Sequence, residues 1–350
     1  MNKRKSITVA VTGLNAIDNP GPGIPVIRCI KESEIFNSKI IGLAYESLEP
    51  GIFMHDLIDK TYQIPYPSAG MEVLFERIKH VNSIEKIDVI IPNFDAELYS
   101  FIKLKDRLEE IGIKTFLPTI EQFEERHKVN LNSFGDKYGI KVPASHTINS
   151  PNEFYKLPSN INFPIAVKGK YYDASIASNI EQAQQHFNKI ANKWGLPIII
   201  QEFIDGQELN VTGLGDGNGE LISYVSMRKQ YITDKGKAWA GVSIEDDNLK
   251  NITQNFINKT KWRGAFELEI IKKKDTNDYY LLEINPRIPA WIYLSFGVGN
   301  NIPEMLLKLC IGEKVSPSLH YKTGKMFVRY SYDMIVDIEE LEQISTLGEL

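Results

Sequence analysis

The chain has 350 residues, 43% hydrophobic and 24% charged, a balance that suits a globular protein with room for two or three ordinary domains. A net charge of −5 gives no reason to expect nucleic acid or an anionic membrane as partner. Cys29 and Cys310 lie too far apart to form a metal motif or a disulfide framework, and are expected as reduced, buried thiols.

Basic residues precede an apolar run at the start, MNKRKSITVAVTGLNA. A secretory segment needs about 7–15 apolar residues and a small-residue cleavage site. Here the run already contains Thr8 and dissolves at Asn15, Asp18 and Asn19, so a buried first strand is the better reading. No stretch approaches the roughly 20 apolar residues of a membrane span. A cytoplasmic protein is expected.

The first third alternates β-rich runs with helical patterns. ITVAVTGL (7–14), KIIGLAY (39–45), DVIIPNF (88–94) and IKTFLP (113–118) are predicted strands. VIRCIKESEIF, MEVLFERIKHV and AELYSFIKLKDRLEEIG carry apolar residues at three- and four-residue spacing, and the last stops at Gly112. Strand–helix alternation predicts a parallel, doubly wound sheet. Beyond about residue 120 the pattern changes. A helical stretch, EQFEERHKVNLNSFGDKYG, leads to IKVPASHTI, a short helix at PNEFYKL and the strand FPIAVKGK. ASIAS, a helix over 180–194 and the strand PIIIQEFI follow. Antiparallel hairpins then turn at GDGNG (215–219) and KKDTND (273–278), and GKMFVRYSYDMIVDIEELEQISTLGEL reads as a strand pair with a final helix. The fold class is therefore α/β plus α+β, divided at 1–118, 119–205 and 206–350.

The hairpin around KKDTND carries the most chemistry. With the turn centred on Thr276, Glu269 faces Glu283 and Glu267 faces Asn285. Two carboxylates opposed beside apolar neighbours (Phe266, Leu268, Ile270, Leu282, Ile284) are best tolerated with a cation between them. Mg²⁺ accepts one or two carboxylates and fills its other positions with phosphate oxygens and water. A solvated hairpin face is the plainer alternative. Arg287, two residues past Asn285, suits a phosphate or carboxylate clamp, or an ordinary ion pair.

Cations elsewhere are compatible with such a site. Lys168 ends a strand that should be buried, so it either meets an anion or snorkels to water. Lys128, within ERHKVNL, reads by itself as part of a solvated helix face. Arg228 and Lys229 end the strand ELISYVSM and precede a polar loop, KQYITDKGKAWAG, with the look of a cover. QEFIDGQE (201–208) offers backbone groups after a strand and a carboxylate, Glu208.

Taken in order, Lys128, Lys168 at a strand end, QEFIDGQE, an Arg-containing strand, then FELEI and LLEINPR with their acids fourteen residues apart resemble the ATP-grasp superfamily. The likeness is to the carbamoyl-phosphate-synthetase and biotin-carboxylase type, and the first third resembles that family's pre-ATP-grasp domain. The resemblance implies that Lys128 and Lys168 contact ATP phosphates, that Glu202, Phe203 and Ile204 form the adenine hinge, and that Glu208 binds ribose. It implies one or two Mg²⁺ ions, with Mn²⁺ as a substitute, on Glu269, Glu283 and Asn285. Arg287, with Arg228, would steady the transferred phosphoryl group. The chain departs from the family pattern in KGKYYDASIAS, where only Gly169 remains of several glycines, with Tyr171, Tyr172 and Ser175 available as cover. His127 stands where Asp is common, and Gln201 where a hinge glutamate is common.

The implied activity is an ATP-dependent carboxylate–amine ligase that forms an acyl-phosphate and releases ADP and phosphate. Its substrates would be a small carboxylate and an amine, amino acids or peptides included; members of the superfamily are often homodimers, and the oligomeric state stays open. The alternatives are an ATP-binding regulatory or scaffold protein, and a small-molecule kinase. The loop GLNAIDNPGPGIP lacks G-x-G-x-x-G spacing, which argues against a dinucleotide site. With Asp95 and Glu97 it either borders a substrate or is a simple turn. Trp239, Trp291, Tyr231 and Tyr293 line a pocket or belong to the core.

Overall fold

The structure, a computed structural model, describes residues 4–17, 19–170, 173–233 and 236–350. Tyr171 and Tyr172, read above as nucleotide cover, lie outside them. In chain order the first elements are β1 (Lys5–Val11), α1 (Gly23–Lys31), β2 (Phe36–Ala44), β3 (Lys60–Gln63), α2 (Met71–Glu85), β4 (Val89–Ile91), α3 (Asp95–Lys103) and α4 (Lys105–Glu110). α5 (Ile120–Glu125), α6 (Leu131–Tyr138), β5 (Ser145–Ile148), β6 (Ile165–Gly169), β7 (Ala174–Ala177), α7 (Ile180–Trp194) and β8 (Ile198–Glu202) follow. The remainder is β9 (Gly206–Asp216), β10 (Leu221–Ile232), β11 (Ala238–Ser243), α8 (Asp247–Thr260), β12 (Arg263–Lys273), β13 (Tyr279–Asn285), α9 (Tyr293–Gly297), α10 (Ile302–Cys310), β14 (Met326–Val328) and α11 (Ile338–Leu347).

Two compact units emerge, neither continuous in sequence: residues 1–120, 210–267 and 285–350 form the first, 121–209 and 268–284 the second. The first contains a parallel sheet in the order β3-β2-β1-β4. Side chains alternate across it, so both faces are apolar. Val9, Val11 and Ile40 pack with Val26, Ile27 and Ile30 of α1. Ala10, Ile41 and Leu43 pack on the other face with Leu74, Phe75, Ile78 and Val81 of α2. That two-sided burial explains the uninterrupted apolar reading of ITVAV and KIIGLA.

A second sheet runs β13-β12-β9-β10-β11-β14, with β9, β12 and β13 contributing residues to both units. The second unit's own sheet, β5-β8-β6-β7, is antiparallel throughout. Its core sets Ile165, Val167, Ile198 and Ile200 against Ala183, Phe187 and Ile190 of α7.

Several expected elements differ. IKTFLP forms only an isolated bridge at Lys114 to Val89, while the fourth strand of the parallel sheet is the short KTYQ of β3. The long helix over 96–112 is two helices meeting at Leu104. EQFEERHKVNLNSFGDKYG is likewise broken, by a 3₁₀ turn at Lys128–Asn130, so Lys128 sits on a turn and not on a helix face. β10 continues past Arg228 to Ile232 because it pairs with β11, so much of the segment expected as a loop is strand. The C-terminal segment has the final helix but one three-residue strand in place of a pair.

Both cysteines are buried free thiols. Among the described residues no helix is long and apolar enough to cross a membrane.

Candidate active site

In the second unit the site grows from one strand. Val167 and Ile165 face α7, so the two-residue period turns Ala166 and Lys168 to the opposite face. Pairing with β8 sets Ala166 beside Gln201, and Lys168 Nζ donates to Gln201 Oε1 at 2.6 Å. Burial pulls the Lys168 ammonium below the ordinary lysine range, and the like charge of Lys128 pulls the same way; Glu283, Glu269 and Glu208 oppose them. Lys128 Nζ in turn lies 3.1 Å from Glu283 Oε2. Burial pushes the Glu283 carboxyl up, Lys128 draws it down, and Glu269 adds to the upward push. The fold thus brings Lys128, Lys168, Glu208, Glu269 and Glu283 within electrostatic reach of one another.

The predicted hinge follows β8. Glu202 N donates to Ala144 O at 2.8 Å, and the Glu202 carboxylate accepts from Ala144 N at 3.3 Å. Phe203 is exposed, Ile204 is buried, and Glu208 is exposed near the start of β9. His127 lies 3.6 Å from Glu124 and edge-on to Phe123. Gly169 N donates to Asp173 O at 3.0 Å.

Among the described residues no group of three or more His, Cys, Asp or Glu is placed to hold a metal ion. The donors fit Mg²⁺ all the same: two carboxylates, with Glu269 close enough to act on the charge of Glu283, and room in the coordination shell for phosphate oxygens. An all-protein cage would fit Ca²⁺ or Zn²⁺ instead.

The first unit holds the rest. Asn285 ends β13 and is 5% exposed. Its Nδ2 donates to Glu267 Oε2 at 3.1 Å, as the predicted opposition of these two residues requires. Glu267 Oε1 also accepts from Asn210 Nδ2 at 3.0 Å and Trp291 Nε1 at 2.6 Å. Arg287 Nε donates to Asp95 Oδ2 at 2.7 Å, and its Nη1 lies 4.0 Å from Glu267. Arg228 sits on β10, where turning the Gln230 amide over lets its side-chain oxygen accept from Arg228 Nε and Nη2 at 3.2 and 3.0 Å.

Sequence reasoning missed two participants. Asp95 came forward only as a possible substrate border, yet it is the partner of Arg287. Glu267 appeared only as the residue opposite Asn285, and it is the acceptor on which three buried donors converge. The one signal available was that Glu267 shares its strand face with Glu269. Glu97 is wholly buried, accepting from Thr12 Oγ1 at 2.5 Å, from Tyr45 Oη, and from the N–H groups of Asn93 and Phe94 at 2.7 and 2.9 Å. Burial raises its carboxyl above the usual range against those bonds. In the loop before α1, Gly23 N donates to Gly13 O at 2.9 Å, and a side chain at Gly23 would strike Thr12 O at 2.3 Å. Close backbone packing therefore accounts for that glycine. Trp291 is core; Tyr231 is exposed, and Tyr293 stacks under the Arg28 guanidinium at 3.7 Å.

Residues 196–332 match the model of a family described as ATP-grasp in the biosynthetic pathway with Ter operon. The fold is an ATP-grasp fold. In sequence the chain is 22% identical over 311 residues to the carbamoyl phosphate synthase large chain, N-terminal section, of Methanopyrus kandleri, covering 80% of this chain and 52% of that one. It is 25% identical over 302 residues to the C-terminal section of the same large chain from Aquifex aeolicus, covering 80% and 54%. The chain spans about half the length of the curated relatives it matches. In structure it resembles Campylobacter jejuni biotin carboxylase, solved as a β,γ-ATP complex, with a TM-score of 0.70 at 16% identity over 91% of this chain and 74% of that one.

Proposed function

We propose that the chain is an ATP-dependent carboxylate–amine ligase, forming an acyl-phosphate and releasing ADP and phosphate. The observation that supports this reading best is the gathering of Lys128, Lys168, Glu269 and Glu283 on one side of the second unit. Two lysines beside two carboxylates are what the charge of MgATP needs: cations for phosphate oxygens and hard oxygens for the ion. When bound, Mg²⁺ supplies charge neutralisation for the transferring phosphoryl group, with Mn²⁺ a substitute. Glu269, Glu283 and Asn285 would hold it.

The roles of this chain's residues follow from their surroundings. Lys128, now paired with Glu283, would exchange that carboxylate for a phosphate oxygen as the ion takes Glu283. Lys168, half-buried and held by the neutral Gln201, has no direct ion pair among the described residues and would meet an arriving anion with its charge. Glu202, Phe203 and Ile204 would meet adenine, and Glu208 the ribose. Arg287 would orient the phosphoryl or acyl-phosphate group from its seat on Asp95, with Arg228 a second cation for the same charge. The substrates would be a small carboxylate, amino acids and short peptides first, and an amine. A homodimer is the assembly we expect.

The test is a hydroxylamine trap. Purified protein, MgATP and a panel of carboxylates are assayed for ADP, AMP and hydroxamate. Hydroxamate formed with stoichiometric ADP, and lost in Glu283→Ala, establishes acyl-phosphate chemistry and names the acid. AMP in place of ADP sinks the proposal. ADP with a stable phosphorylated product and no hydroxamate identifies a kinase, and intact MgATP binding without turnover a regulatory protein.

A further inference from the structure

Glu267 is a buried carboxylate, 5% exposed, on the strand that also carries Glu269. Its oxygens are committed inward. Oε1 accepts from Asn210 Nδ2 (3.0 Å) and Trp291 Nε1 (2.6 Å), and Oε2 from Asn285 Nδ2 (3.1 Å). Arg287 Nη1 lies 4.0 Å away, and the buried Arg329 guanidinium feels the same negative charge. Asn210 leaves its own Oδ1 buried without a hydrogen-bond partner in giving its amide to Glu267. An orphaned acceptor is costly, so the Glu267 contact dominates that choice.

This arrangement decides which end of the Asn285 amide is which. An amide offers a carbonyl oxygen on one side and an NH₂ on the other, and only the oxygen can ligate a cation. Glu267, an acceptor only, captures the NH₂ and thereby turns Oδ1 away from itself. We propose that Glu267 is a positioning residue that fixes the Asn285 amide so that its carbonyl oxygen, and never its NH₂, is presented to the Mg²⁺–nucleotide. The inference rests on the functional reading above. It goes beyond it in assigning Glu267, with no ligand contact of its own, control over metal affinity.

The test exchanges donor and acceptor. Glu267→Gln keeps an oxygen for Asn210 and Trp291 but sets an NH₂ against the NH₂ of Asn285, so the Asn285 amide must rotate. Adding Asn285→Asp restores a matched pair with the same total charge, glutamine now donating to aspartate. Mn²⁺ binding to the protein–ADP complex is measured by calorimetry, with ADP binding in EDTA and thermal unfolding as controls. Loss of such an outer partner costs metal sites about 10–100-fold in affinity. The expected result is a loss of about 10-fold or more in Mn²⁺ affinity for Glu267→Gln, ADP binding in EDTA unchanged, and recovery to within about threefold in the double variant. Unchanged Mn²⁺ affinity in Glu267→Gln overturns the proposal, as does a double variant that binds ADP normally without recovering the metal. If Glu267→Gln does not fold, the double variant carries the test by the same threefold criterion. A wild-type protein that binds ADP but no Mn²⁺ removes the functional reading, and this inference with it.

Discussion

Lys168 shows how one side chain serves stability and binding in opposite senses. Burial disfavours its charge, Lys128 adds repulsion, and the group it donates to is the neutral Gln201 oxygen. Because its folded-state titration lies below the ordinary lysine value, the unfolded chain binds more protons between the two values. This group's contribution to stability therefore rises with pH across that interval, while phosphate binding, which needs the ammonium, weakens. ADP affinity measured from pH 7 to 10 is expected to fall earlier than ordinary lysine titration dictates. Lys168→Met is expected to weaken ADP binding at least about tenfold with no loss in thermal midpoint, since it removes a desolvated charge without opening a cavity. Unaltered ADP affinity in that variant would take Lys168 out of the site. The lysine was legible from sequence because a cation after FPIAV stands out; its partner was not, because Gln201 lies 33 residues away across a strand pairing.

At the level of elements, local chemistry was readable wherever a turn or cap is built from neighbouring residues. In the 215–219 turn the Asp216 carboxylate accepts from the N–H groups of Asn218, Gly219 and Glu220 at 2.7, 3.0 and 2.9 Å, and Gly217 and Gly219 take positive φ. The start of α8 is equally local, since Asp246 accepts from Asn248 N and Leu249 N at 3.0 and 3.1 Å. Asp246→Ala is expected to cost about 1 kcal/mol, read as a lower denaturant midpoint with an unchanged slope and unchanged nucleotide binding. A shift within error would mean that the cap is dispensable. The elements that went unread lack such signals. β3 is four residues without alternation and exists because β2 offers it an edge. The breaks at Leu104 and at Lys128 contain neither Gly nor Pro.

For the whole molecule, the proposed nucleotide binding would be linked to folding. A ligand that binds only the folded chain stabilises it by about 2.7 kcal/mol at a hundred times its dissociation constant. MgADP at that level is expected to raise the thermal midpoint, and Glu283→Ala to remove the part of the rise that depends on Mg²⁺. An equal rise with and without Mg²⁺ in the wild type would argue against Glu269 and Glu283 as its ligands.

The sequence by itself determined the parallel first sheet, the two hairpins and most of the charged residues proposed for the site, because apolar runs, turn residues and unusual charges are short-range patterns. It also carried the order of motifs that resembles the ATP-grasp family. Only the tertiary structure decided that the compact units are discontinuous, since the unit containing residues 121–209 also takes 268–284. The same holds for Asp95, paired with Arg287 across 192 positions, and for Glu267, bonded to Asn210 57 positions away. A carboxylate on a strand looks the same in sequence whether it meets a metal or a buried amide. What marks Glu267 is the set of donors, from Asn210, Asn285 and Trp291, that packing brings to it.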